Sequence, residues 1–419
     1  MVSRRDFLKA GGASVALSGF VREALGQTTP PPGAEIENML AGVEPLKPED
    51  YEARQEKARR LMARRGLDGL FLPGGANLVY FTSVSWGASE RTFGAVLNAK
   101  GAPVWVCPAF ERERALESVP AGQDVRIWEE HESPYGLVGG IMKDWGAAGG
   151  RLGLAPNVSA FQFYGLRTDA PGLELVDGAG VTEGCRGTKT AKEIAFMDLA
   201  NRITKLAYRE AFRGLRAGMT PRELASSIAS AHGRMGVSGG GGPQFGPNTA
   251  FPHGSRTPRT LEEGMIVMVD GGCGVEGYRS DVTRTVVFGR PTDKMARVWD
   301  IVRKSQEAAL KAARPGVACQ AVDAAARKVI EDAGFGPGYK YFAHRLGHGI
   351  GLEGHEYPYL VKGNALNLEP GMTFSNEPGI YIYGEFGCRT EDCLVVTEDG
   401  ARHLGGLEAV SITQPFPEI

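Results

Sequence analysis

One pattern occurs twice in this chain, and it narrows the available folds more than any other feature. Leu261-Glu262-Glu263-Gly264-Met265 opens an apolar run, Ile266 to Val269, that ends on Asp270-Gly271-Gly272. Leu368-Glu369-Pro370-Gly371-Met372 begins the pattern again 107 residues later and reaches Glu377-Pro378-Gly379 at the same offset. A second acid follows each time on the next expected strand, Asp281 after 11 residues and Glu391 after 14. The helix ends at Arg216-Ala217-Gly218 and Arg314-Pro315-Gly316 extend the correspondence. A duplicated unit folded about a pseudo-twofold axis would carry all four carboxylates to the centre of one sheet. Acids beside apolar strands need compensation. Four together would repel one another and resist ionisation unless cations neutralise them. Two divalent metal ions are the expectation that follows.

Three of the seven histidines fall in one glycine-rich segment, as His344, His348 and His355. The spacing is not HExxH, so a helical zinc-protease site is excluded. His253 ends the glycine-rich stretch Gly236 to Ser255, while His131, His232 and His403 have no such neighbours and read as ordinary histidines. Gly236-Val237-Ser238-Gly239-Gly240 satisfies the GxSxG pattern of serine hydrolases. It follows a helix and precedes glycines, whereas a nucleophile elbow follows a strand and opens a helix. The six cysteines, at 107, 185, 273, 319, 388 and 393, show no CxxC spacing and read as free buried thiols.

These motifs resemble the metallopeptidases of the methionine aminopeptidase, aminopeptidase P and prolidase group. The resemblance rests on Val269-Asp270-Gly271-Gly272, Ser280 to Thr285, Gly347-His348-Gly349-Ile350-Gly351, Asn376 to Tyr381 and Arg389-Thr390-Glu391-Asp392. Asn77 to Thr82 and Arg91 are similar to the creatinase-like domain of the Xaa-Pro branch. The resemblance implies an α/β (α+β) architecture, with a small creatinase-like domain at 48–180 and a duplicated pita-bread catalytic domain at 181–419. It implies Asp270, Asp281, His348, Glu377 and Glu391 as ligands of two metals, Asp281 and Glu391 bridging them. A single imidazole among four carboxylates is a hard donor set, which makes Mn²⁺ the first choice, with Co²⁺ or Zn²⁺ able to occupy it in vitro.

The resemblance also implies catalytic roles for His253, His344, His355, Glu377 and Arg389. His253 would steady the developing oxyanion, His344 and His355 would orient the peptide, Glu377 would move the proton, and Arg389 would pair with acids near the metals. The expected activity is that of an Xaa-Pro aminopeptidase acting on short proline-containing peptides. Its alternative is a prolidase, an Xaa-Pro dipeptidase, which shares every motif. A metal-independent amidinohydrolase or an inactive binding module on the same fold is disfavoured, because no ligand has been lost. In the Xaa-Pro branch the small domain restricts access to short peptides, often across a subunit boundary, so a dimer or tetramer is expected.

Charge and hydropathy agree with this reading. Lys and Arg total 47 against 49 Asp and Glu, for a net charge of −2, without the basic excess of a nucleic-acid binder. No apolar run approaches the roughly 18 residues of a membrane span. Ser3-Arg4-Arg5-Asp6-Phe7-Leu8-Lys9, with a weakly apolar stretch and Ala24-Leu25-Gly26, resembles a bacterial twin-arginine export signal at 1–26. A proline-rich linker at 27–47 would follow, and the protein would be exported by the Tat machinery to the periplasm or the extracellular space.

Helical and strand signals alternate from Pro48 onwards. Strands are expected at Gly69–Pro73, 93–97, 104–107 and 125–128, with helices over 51–65, 135–147, 190–215 and 220–235. Thr220-Pro221-Arg222-Glu223 is a capping box with proline at the first helical position. Two more helices are expected near 293–313 and 319–333. Residues 181–189 read as the junction between domains, and 236–255 as loop.

Overall fold

The structure, a computed structural model, describes residues 37–417. The expected export signal at 1–26 and the first part of the expected linker lie outside them. Among the described residues no helix is long and apolar enough to cross a membrane. Within the rest of the expected linker, Met39 N–H donates to the Met235 carbonyl at 3.1 Å, so this segment is tied to the C-terminal half of the chain.

The first part of the chain alternates helix and strand: α1 (Pro48–Arg65), β1 (Gly69–Pro73), α2 (Ala76–Thr82), β2 (Gly94–Asn98), β3 (Val104–Pro108), α3 (Arg112–Leu116), β4 (Val125–Trp128), α4 (Pro134–Asp144), β5 (Arg151–Leu154), α5 (Ala160–Asp169), β6 (Glu174–Asp177) and α6 (Ala179–Arg186). The strands form one mixed sheet in the order β4-β3-β2-β1-β5-β6. β1 is wholly buried, which suits a continuous apolar run at the centre of a sheet. Gly66 ends α1 in the left-handed conformation, φ 64°. The junction expected at 181–189 is mostly helix. Val181 and Cys185 of α6 pack in one core with Ala58 and Met62 of α1, so this hydrophobic unit runs past residue 180.

Two repeated units follow. The first contains α7 (Ala191–Arg213), α8 (Pro221–Arg234), β7 (Gly242–Phe245), β8 (Ile266–Gly271), β9 (Gly274–Val275), β10 (Tyr278–Arg279) and β11 (Val282–Val287). The second contains α9 (Asp293–Ala312), α10 (Cys319–Asp332), β12 (Gly347–Gly349), β13 (Glu356–Leu360), β14 (Thr373–Asn376), β15 (Gly379–Ile382), β16 (Phe386–Arg389), β17 (Asp392–Val396) and β18 (Ala401–His403). The units share a common core, to which the second adds β13 and β18. Each has a helix pair and three antiparallel strands, β7-β8-β11 and β12-β14-β17, with a two-stranded hairpin inserted before the last strand. Their sheets meet at an antiparallel bridge between Thr283 and Glu391.

Capping explains where the helices begin. Thr190 and Thr220 cap α7 and α8 through their hydroxyls, and Glu193 and Glu223 complete both boxes. Phe196, Met197, Ala200, Ile203, Ala207 and Ala211 form the buried stripe of α7 at helical spacing. The stretch 236–255 differs from expectation, because it contains β7 and a short 3₁₀ turn at Gly246–Ala250. Its glycines allow the backbone to lie against β8. A Cβ on Gly241 would stand 2.8 Å from Val269 Cγ1. All six cysteines are free and buried.

A buried charge cluster locks α7 to the second unit. Asp392 is fully buried and accepts from Arg284 Nη2 at 2.8 Å and Gln306 Nε2 at 3.1 Å, while Lys205 Nζ lies 2.7 Å away. Removing one member of such a set strands the others without a counter-charge. Asp392→Ala is therefore expected to lower the unfolding free energy by about 3–5 kcal/mol in urea titrations. A loss below about 1 kcal/mol would show that water reaches and screens the cluster.

Candidate metal centre

The duplicated topology delivers the five candidate ligands from both units. Asp270 lies near the end of β8, and Asp281 directly precedes β11. Glu377 lies between β14 and β15, Glu391 directly precedes β17, and His348 is the middle residue of β12. Three of the four acids thus sit at strand ends rather than within strands. There the carboxylate escapes the pleat alternation and can turn towards the seam.

Two triads of ligand atoms share Glu391. Asp270, Asp281 and Glu391 form one, and His348, Glu377 and Glu391 the other, each within 4.8 Å. His348 Nε2 lies 3.4 Å from Glu377 Oε1 and 3.7 Å from Asp281 Oδ2, so Asp281 also faces both groups. Asp281, His348 and His355 form a third compact set. His355, expected only to orient the peptide, therefore also offers a nitrogen at metal-binding distance.

The electrostatics show what this set lacks. Burial, then the charges of Asp270 and Glu377, pushes the Asp281 carboxyl well above its usual range. Burial, then Asp281, does the same to Glu391. Burial raises Glu377 to about 7, although Arg389 opposes the shift. Arg389 is the cation nearest to hand, with Nη2 2.6 Å from Asp270 Oδ2 and Nε 3.9 Å from Glu391 Oε2. One guanidinium does not balance four carboxylates. The donors are hard oxygens with one imidazole, the chemistry that suits divalent cations. The residues present fit a metal pair.

Hydrogen bonds fix the imidazoles. His348 Nδ1 lies 3.1 Å from the Gly349 carbonyl, which can only accept, so Nδ1 carries the proton and Nε2 presents a lone pair to the acids. Burial, reinforced by His355, lowers the His348 pKa to about 4. His344 follows the same rule. Its Nδ1 donates to the Arg345 carbonyl at 2.8 Å, and its Nε2 accepts from Tyr381 Oη at 2.7 Å. Burial, then Arg389, lowers its pKa to about 3. Tyr381 Oη in turn accepts from Arg389 Nη1 at 2.9 Å. His344 is thereby linked to Asp270 through one tyrosine and one arginine.

Three participants carried no signal of their own in the sequence. Thr283 Oγ1 donates to Glu391 Oε2 at 2.6 Å and accepts from Arg389 Nε at 3.0 Å. Ser375 Oγ donates to Glu377 Oε1 at 3.1 Å and accepts from the His348 N–H at 3.0 Å. Tyr381 is the third. All lie within or beside the motifs quoted above, but a hydroxyl has no spacing pattern that sets it apart. His253 is exposed, on a loop held where Arg389 Nη1 donates to the Pro252 carbonyl at 3.0 Å. It lies near enough to His344 and His355 to disfavour their protonation.

Chelation of bound divalent metal should lower the melting temperature, and by more at about pH 8 than at about pH 5. The folded-state pKa values of Asp281, Glu377 and Glu391 are raised, so the metal-free fold holds more protons than the unfolded chain. It loses stability as pH rises from about 4 through neutrality. Calorimetry with and without chelator checks this. An equal loss at both pH values would mean that carboxylate repulsion is not its source.

Similarity to known proteins agrees with the geometry. The model of metallopeptidase family M24 matches residues 195–398, and that of the creatinase/prolidase N-terminal domain matches 54–187. A probable dipeptidase PepE of Mycobacterium tuberculosis (strain ATCC 25618 / H37Rv) is 38% identical over 84% of this chain and 94% of its own. An Xaa-Pro dipeptidase of Lactobacillus delbrueckii subsp. lactis is 35% identical over 82% of this chain and 94% of its own. The crystal structure of dipeptidase PepE from Mycobacterium ulcerans matches with a TM-score of 0.81 at 36% identity, covering 87% of this chain and 97% of that one. The chain belongs to metallopeptidase family M24, with a creatinase/prolidase N-terminal domain ahead of a pita-bread catalytic domain.

Proposed function

We propose that this protein is an Xaa-Pro dipeptidase, a prolidase, that uses two divalent metal ions. The observation that carries the hydrolytic part is the pair of ligand triads sharing Glu391. The choice of dipeptidase over the aminopeptidase favoured by the motifs rests on the relatives, several of which are named as dipeptidases or Xaa-Pro dipeptidases. The motifs alone do not separate the two.

Asp270, Asp281, His348, Glu377 and Glu391 would hold the metals, and His355 borders them. When bound, a divalent pair lowers the pKa of a water molecule and draws charge from the scissile carbonyl. The surrounding residues supply the rest. Glu377, whose carboxylate lies against His348 and Ser375 at the centre of the site, can accept a proton and return it to the leaving nitrogen. That return matters for an Xaa–Pro bond, whose nitrogen carries no N–H and must be protonated to leave. His253 stands exposed at the rim, placed to donate to a developing oxyanion. His344 is held neutral, with its Nε2 lone pair engaged by Tyr381, so it acts through Tyr381 and Arg389 on Asp270.

Manganese is the inferred native metal, from the hardness of the donor set. Export by the twin-arginine route to the periplasm and assembly into a homo-oligomer belong to the same proposal. They are supported by the N-terminal pattern and by the access-restricting role inferred for the small domain.

Two measurements test the reading. Manganese-loaded protein should hydrolyse an Xaa-Pro dipeptide and leave a longer peptide with proline second uncut. Cleavage of the longer peptide at its Xaa–Pro bond would make it an aminopeptidase. Glu377→Ala should lower kcat by about 10²-fold or more, whereas His131→Ala, at an exposed residue of the small domain, should leave it unchanged. Equal activity in the two variants would remove Glu377 from the mechanism.

A further inference from the structure

The segment joining the two domains does more than connect them. Arg186 ends α6, and Lys189 follows it just before the cap of α7. Both side chains reach the same carboxylate, Glu356. Arg186 Nη2 donates to Glu356 Oε2, and Lys189 Nζ donates to Glu356 Oε1 at 2.7 Å. All three residues are buried. Burial alone would raise the Glu356 pKa, yet Lys189 and Arg186 together hold it below its usual value. Arg186 also pairs with the half-exposed Glu353 at 2.8 Å.

Glu356 is the residue after His355. The pairing of β12 with β13 runs Gly347 to Leu360 and His348 to Tyr359, then jumps from Gly349 to Glu356. The jump leaves Tyr357 and Pro358 unpaired as a bulge, and residues 350–355 form the loop that joins the two strands. His355, the last of them, is exposed and makes no hydrogen bond among the described residues. Its ring is stacked on His348 at 3.6 Å between centroids and an interplanar angle of 18°. The stack fixes one face of the ring. The backbone that carries it is fixed by its neighbour, Glu356. The loop folds tightly over this anchor, since a Cβ on Gly351 would stand 2.5 Å from Glu356 Oε1.

The anchor is rooted in the small domain. Arg186 Nη1 donates to Asn77 Oδ1 at 2.9 Å, Asn77 Nδ2 donates to Asn157 Oδ1 at 3.0 Å, and Asn157 Nδ2 donates to the Gly74 carbonyl at 3.1 Å. A cavity of about 260 Å³ lies along this chain of contacts, and His355 forms part of its wall. We propose that Arg186 and Lys189 are positioning residues for His355, acting through Glu356. The small domain thus sets the place of an active-site imidazole within its own chain. This rests on the reading of His355 as a residue that orients the peptide.

A double-mutant cycle tests it. In manganese-loaded protein, Lys189→Gln and Glu356→Asp are each expected to lower kcat/KM for an Xaa-Pro dipeptide about tenfold without loss of bound metal, and Lys189→Arg to restore most of it. In a His355→Ala background the same substitutions should change kcat/KM by less than about twofold. The same tenfold loss in both backgrounds would overturn the proposal, because the pair would then act on the fold at large. Full activity in His355→Ala would overturn it together with the role of His355. If Glu356→Asp does not fold, the Gln and Arg variants of Lys189 carry the cycle. A second readout is independent of turnover, and so stands even if the dipeptide is not a substrate. In ¹⁵N-histidine-labelled, zinc-loaded protein, the His355 ring resonance should move in Lys189→Gln and return in Lys189→Arg. An unmoved resonance would also overturn the proposal.

Discussion

The contact between Thr283 and Glu391 is the one on which the rest of the centre depends. The Glu391 N–H donates to the Thr283 carbonyl at 3.1 Å, and the Thr283 hydroxyl donates to the Glu391 carboxylate at 2.6 Å. Backbone and side chain are thus fixed by one residue of the opposite unit. Because Glu391 belongs to both triads, this contact sets how the two groups of ligands face each other. Arg389, two residues earlier, spans from Asp270 to Tyr381, and Arg284, next to Thr283, enters the buried cluster around Asp392. The seam therefore has charge-paired residues on both sides. A centre crowded with like charges needs that rigidity, since carboxylates free to move would swing apart into water.

Rigidity at the seam comes partly from outside the duplicated units. Arg54 of α1 donates to Glu193 Oε1 at 2.7 Å and to Tyr278 Oη at 2.7 Å. Tyr278 lies on β10, in the hairpin that leads directly to Asp281. Arg279, its neighbour, donates through its backbone to the Gly351 carbonyl at 2.8 Å. The loop before β13 and the hairpin before β11 are thus braced against each other, and both are braced against the small domain. Buried ion pairs of this kind give modest net stability, but separating one partner from the other is costly. That suits a site that needs one geometry.

Much of this was legible in the sequence, and the reasons differ from place to place. The strands Gly69–Pro73 and Val125–Trp128 were read to the residue, because each is a short apolar run between turn signals. The capping box at Thr220 placed the start of α8, and the long helical run from Thr190 placed that of α7. The four candidate acids were legible because duplication turns single acids into a pattern, and His348 because its glycine-rich motif resembles the family's. What escaped had no such pattern. α5 exposes Phe161 and Tyr164, so its apolar residues trace no single buried stripe. β6 is an edge strand, half exposed and bounded by acids. Tyr381, Thr283 and Ser375 act through hydroxyls, whose role is set by neighbours that come together only in the fold. The segment 181–189 read only as a junction because its partners lie about 170 residues away in the chain.

A candidate metal ligand whose own backbone closes the seam also ties two events together. Between Gly289 and Thr292 the chain passes from the first repeated unit to the second over an exposed turn. The covalent link there is peripheral to what holds the units together. If that turn were cut, the two pieces would still be joined at Glu391, by the atoms that would grip the ion. Release of the ion would then weaken the contact between the pieces as well. In this architecture, retention of a bound ion and the cohesion of the two repeated units are coupled.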